Sequence, residues 1–86
     1  MEYKLVVIHW VDSNSIGSKW THKDDIPEPE LCLCRSIGWV YKETDEAIMI
    51  CSHFSFVNDL NDLGLHSPFV IPKCSIKKMI YLNEEN

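Results

Sequence analysis

The chain has 86 residues, enough for one domain. Its net charge of −5, from 13 acidic and 8 basic residues, lacks the cationic surplus that holds polymeric nucleic acid. A small anionic ligand needs only two or three placed donors and stays open. A hydrophobic fraction of 45% with three tryptophans supports a packed core and excludes disorder. So short a chain buries little of its surface, which makes a homo-oligomer the expectation. The four cysteines, Cys32, Cys34, Cys51 and Cys74, follow an opening with no leader peptide, so reduced thiols in a cytoplasm are expected. No apolar stretch approaches a membrane span, and no membrane partner is expected.

Leu5 to Val11 is a β-branched run, nearly apolar on both faces, ended by Asp12-Ser13-Asn14. A strand threading a closed barrel reads this way. Residues 12–30 form a long polar loop with Gly17 and Pro27-Glu28-Pro29, and loops of that length are often functional. Leu31 to Lys42 alternates, with Leu31, Leu33, Ile37, Trp39 and Tyr41 on one face and Cys32, Cys34, Ser36 and Val40 on the other. Gly38 interrupts the second face at an expected barrel corner. After the turn Glu43 to Glu46, Ala47 to Cys51 returns as the partner of a hairpin.

Ser52 to Ser67 is irregular, with room for one helical turn stopped by Gly64. Phe69-Val70-Ile71 reads as a strand ended at Pro72-Lys73, and Ile76 to Leu82 as the last strand, with Ile76, Ile80 and Leu82 in phase. Residues 83–86 read as a disordered tail. The whole fits a single mainly β domain over residues 1–86: a small five-stranded SH3-like or Sm-like barrel with a long first loop.

No metal site is expected. Cys32-Leu33-Cys34 lacks the spacer of a zinc knuckle and has no second pair, so buried small hydrophobes are the simpler reading. No catalytic frame is present, no phosphate-binding glycine loop can be built from Gly17, Gly38 and Gly64, and no cofactor is implied. The alternative is a small nucleotide hydrolase using His22, His53 or His66.

The candidate ligand-binding residues are Lys19, Trp20, His22 and Lys23 in the first loop, with His53, Asn58 and Asn61 in the second. A base stacks on an indole for about 1–3 kcal/mol while lysines meet its phosphate. The competing and preferred reading of Trp20 is that it folds back to cap an open barrel end. Trp10 and Trp39 lie within strand patterns and read as core.

The order Ile8-His9-Trp10-Val11-Asp12, Trp20, Ser36-Ile37-Gly38-Trp39, Asp45 to Ile50 and Ile71-Pro72-Lys73-Cys74-Ser75-Ile76 resembles a group of small tailed-phage accessory proteins. The likeness spans most of residues 3–82, and the Cys32/Cys34 pair and Phe54-Ser55-Phe56 depart from it. It implies an SH3-like or Sm-like barrel acting in the cytoplasm of an infected host bacterium. The implied role is non-catalytic: sequestering a small anionic ligand, such as a cyclic nucleotide of a host defence signal. The alternative is a module that inhibits a host protein. Assembly through exposed strand edges is part of the same expectation.

Overall fold

The computed structural model describes residues 3–17, 19–56 and 63–83. Among the described residues seven strands follow in order: β1 (Leu5–Asp12), β2 (Cys32–Glu43), β3 (Ala47–Cys51), β4 (His53–Phe56), β5 (Leu63–His66), β6 (Phe69–Pro72) and β7 (Ile76–Leu82). Two 3-10 turns, Lys23–Asp25 and Lys73–Ser75, are the only helical pieces among the described residues. β6, β3, β2, β1 and β7 form one antiparallel sheet in that order, and β4 and β5 form a separate hairpin.

β6 and β7 are the two edges of the large sheet, yet only Lys73–Ser75 lies between them. In a flat sheet those edges stand four strand spacings apart, about 19 Å. A 3-10 turn rises about 2.0 Å per residue and covers less than half that distance. The sheet must therefore curl until its edges approach at this end.

No ladder joins β6 to β7, so the expected closed five-stranded barrel is an open, curled sheet plus a hairpin. Two local features work against closure. β6 has four residues and ends in Pro72, which has no N–H to donate. The start of β7 is taken up by a register shift against His9 and Trp10 of β1.

The concave face holds the core. Val6, Ile8, Trp10, Ile48, Ile50 and Ile71 are buried together, with Cys34, Val40, Ile76 and Met79 packed against them. β-branched residues opposite one another, such as Ile48 and Ile71, are what a curved sheet interior accommodates. Trp10 packs on Phe69 with ring centroids 5.6 Å apart, and its indole N–H donates to Ser36 Oγ at 3.0 Å. A buried N–H needs such a partner, which explains a serine on the inner face of β2.

The more apolar face of β2 turns outward. Leu33 and Ile37 are 83% and 62% exposed, while Cys34, Ser36, Gly38 and Val40 face the core. Ile80 and Leu82 also face out, opposite Val7 and Leu5, because the register shift breaks the expected phase with Ile76. Gly64 is not a helix stop but a β5 residue opposite Ser55. The rest of the expected helical turn, and tail residues 84–86, lie outside the described residues.

The expected β2–β3 hairpin is present. Thr44 organises its turn: its N–H donates to the Ala47 carbonyl at 2.8 Å, and its hydroxyl accepts from the Ala47 N–H at 3.1 Å. Lys73 pins the sheet's curled end, donating from Nζ to Glu43 Oε2 at 2.6 Å and from its backbone N–H to the Glu46 carbonyl at 2.8 Å.

Gly38 is required by close approach rather than by a bend. A Cβ there would stand 2.8 Å from the Cys51 carbonyl oxygen and 3.2 Å from Ile50 Cβ. Backbone on the facing strand cannot move aside cheaply. Gly38→Ala is expected to lower unfolding free energy by about 1–3 kcal/mol. Urea denaturation checks it, and an unchanged midpoint would contradict the packing described.

Candidate functional site

Asp12 and Cys32 are register partners at the end of the β1–β2 ladder, and residues 13–31 leave from that end as an arm. Every described arm side chain is exposed. Its one helical turn among the described residues is Lys23–Asp25, closed by the Asp25 N–H donating to the His22 carbonyl at 2.9 Å.

His22 caps this turn. Its Nδ1 accepts from the Asp24 N–H at 3.2 Å. A ring nitrogen that accepts carries no proton, so in the neutral ring the N–H is on Nε2. Asp24 Oδ2 lies 3.5 Å from the same Nδ1 and could accept from it only where Nδ1 carries a proton.

Ile16, Gly17, Lys19, Trp20, Thr21 and Ile26 line an open concavity of about 360 Å³ in this arm. Gly17, at φ 124°, takes a backbone region that ordinary side chains rarely adopt. Trp20 is fully exposed, so the cap reading is wrong for this chain. The arm departs from the sheet's end and never returns to its concave face, and Trp10 with Phe69 already fills that position. Covering an aromatic ring of this size is worth about 4–6 kcal/mol by area. An uncovered one is a large unused binding term. Among the described residues neither Lys19 nor Lys23 has a carboxylate within ion-pair distance.

The second group of expected residues is elsewhere. The β4–β5 hairpin follows Cys51, the end of β3, which is paired with Trp39 of β2. The arm starts beside Cys32, seven residues away along the same strand, or about 23 Å. His53 therefore does not join Lys19, Trp20, His22 and Lys23 in one site, and Asn58 and Asn61 lie outside the described residues. Turn-forming polar residues mark loops equally well at both ends of a sheet, so composition could not separate the two.

At the hairpin base His53 faces His66 across the strands, with ring centroids 5.0 Å apart. His66 Nδ1 lies 2.9 Å from Ser52 Oγ and 3.2 Å from Ser67 Oγ. Ser67 takes a left-handed backbone, φ 52°, which costs a serine about 1–3 kcal/mol. The Ser52–His66 contact has the geometry of a nucleophile and its base. Among the described residues no carboxylate stands within ion-pair distance of the ring to orient it as a third member would. Its evident role is to pin the hairpin, together with the Ser52 N–H donating to the His66 carbonyl at 3.1 Å. Phe54 of that hairpin stacks on Tyr3, 4.5 Å between centroids, and lies 6.1 Å from Trp39.

All four cysteines are free thiols. Cys32 and Cys34 point the same way, with their sulfurs 3.8 Å apart. Among the described residues no group of three His, Cys, Asp or Glu is placed to hold a metal ion. Loss of solvent pushes the Cys34 thiol up, and its hydrogen bond to Cys32 adds to this, while burial pushes Cys51 up. Thiolate fraction and access both set alkylation rate. At pH 8 iodoacetamide should modify exposed Cys32 and Cys74 first, Cys34 more slowly and Cys51 last, followed by mass spectrometry. Early modification of Cys51 would contradict its burial.

Compared with known proteins, the chain matches no family model, no curated protein and no solved structure.

Proposed function

We propose that this chain is a non-catalytic binding protein whose arm takes up a small anionic ligand with a stacking base. The ligand class is a nucleotide such as a cyclic nucleotide signal. One observation carries the reading: a fully exposed Trp20 beside Lys19, on an open concavity of an otherwise acidic chain. An indole face, two lysines that form no ion pair among the described residues and the Nε2–H of His22 supply what a base and its phosphate require.

In this reading the curled sheet is a small SH3-like or Sm-like barrel left open at one seam. The strand order and the single turn between the edge strands support that assignment. The resemblance to small tailed-phage accessory proteins supports the wider role: sequestering a host defence signal within an infected bacterium. A second reading, a module that inhibits a host protein, is favoured by Asp24, Asp25, Glu28 and Glu30 standing exposed beside Pro27 and Pro29. An acidic, preformed segment suits a basic partner.

Differential scanning fluorimetry with mono-, di- and cyclic nucleotides tests the ligand reading. A true ligand at one hundred times its dissociation constant adds about 2.7 kcal/mol to stability and raises the melting temperature by several degrees. Trp20→Ala should abolish the shift while leaving the unliganded melting temperature within about a degree, because the side chain covers nothing. A flat panel with folded protein would overturn the proposal. Breakdown of the ligand on recovery would identify a hydrolase instead.

A further inference from the structure

The convex face of the sheet has the composition of an interface. Its direct cross-strand rows are Leu82–Leu5–Trp39, Ile80–Val7–Ile37, Lys78–His9–Arg35 and Val11–Leu33. The hairpin's Phe54 approaches the first row at Trp39. The other three rows run on beyond it, with Leu33 and Ile37 among the most exposed apolar residues of the chain. No aspartate or glutamate stands in these rows, while Arg35 and Lys78 flank His9 across their middle. The face is apolar with a positive bar on a chain of net charge −5.

Surface area makes the same point. A compact monomer of 10.0 kDa exposes about 5,200 Å², whereas this chain exposes 7241 Å². The excess, about 2,000 Å² on one chain, is more than the about 800 Å² per partner that a standard protein interface buries. Its radius of gyration is 17.4 Å against about 12 Å for a compact chain of this length.

The complement is present in the same sequence. Asp24 to Leu31 carries four carboxylates, the exposed apolar residues Ile26 and Leu31, and two prolines. The prolines hold it near an extended form, so docking orders it at less entropic cost. Its extended part, residues 26–31, spans about 19 Å, and the convex rows from Val11 to Leu5 span about 20 Å. Within one chain the segment stands clear of the sheet. A face-to-face pair of sheets would set Arg35 and Lys78 against their own copies, which like-charge repulsion disfavours.

We infer that residues 24–31 of one copy of this chain dock on the convex face of a second copy. Ile26 and Leu31 cover Ile37, Leu33 and Ile80, and the carboxylates meet Arg35 and Lys78. Trp20 and Lys19 precede the docked segment and stay beside it, so the assembly stands with or without a ligand.

Sedimentation velocity on the full chain across a concentration series tests this, using charge reversals at exposed positions. The wild type should associate. A face variant (Arg35→Glu with Lys78→Glu) and an arm variant (Asp25→Lys with Glu28→Lys) should each associate at least tenfold more weakly. Mixing the two variants matches opposite charges at both contacts and should restore association. Far-ultraviolet circular dichroism and melting temperature confirm that each variant is folded, and a second pair, Ile37→Ser and Ile26→Ser, should weaken association without changing charge. A wild type that stays monomeric overturns the inference. So does an assembly indifferent to both reversals, which would point to the β6 and β7 edges, or a mixture that fails to recombine.

Discussion

Three residues between two edge strands dictate the form of this molecule. Because Lys73–Ser75 must carry the chain from β6 to β7, the sheet between them has to roll up, and rolling gives it two unequal faces. The inner one closes on Val6, Ile8, Trp10, Ile48, Ile50 and Ile71. Lys73 holds the roll in place by reaching both Glu43 and the Glu46 carbonyl, so the turn of one hairpin and the crossing of the edges are locked together. The outer face is opened by the same curvature, and β1, with branched apolar residues on both sides, contributes equally to each.

Such a core is small for the chain that surrounds it. Folding removes only about half of the roughly 14,500 Å² an extended chain of this mass exposes, less than the about 60% typical of a shorter compact domain. Apolar burial scales stability, so the isolated chain has little to spare, and each covered Å² contributed by a ligand or a second copy counts for more. The arm and the convex face are thus two outcomes of one shortage. Both carry exposed apolar side chains that the roll does not cover.

Much of the frame was legible in the residues. Alternation from Leu31 to Lys42, the polar turn at Glu43 to Glu46 and the run Ala47 to Cys51 gave the hairpin, and Pro72 marked the last turn. Closure was not legible, because strand number and turn length do not report whether two edges pair. The outer face was visible as a nearly all-apolar run from Leu5 to Val11 but read as barrel interior. A strand with two apolar faces looks the same whether its second face is covered by its own chain or awaits another. The phase of Ile80 and Leu82 was hidden by a one-residue register shift near Lys77, and a slip of one residue exchanges the two faces. In the candidate site, Lys19 and Trp20 were found from composition, whereas the separation of His53 from them depends on which end of β2 each loop leaves.

The account's central claim is that one rolled sheet holds the fold while the arm lies outside it. Residue-resolved hydrogen exchange in dilute solution tests this most directly. The slowest amides should be those of Val6 to Trp10 and their partners in β2 and β3, and residues 13–31 should exchange rapidly apart from the turn at Lys23–Asp25. Slow exchange throughout the arm in the dilute monomer, or a protected centre in β4 and β5 rather than β1, would contradict it.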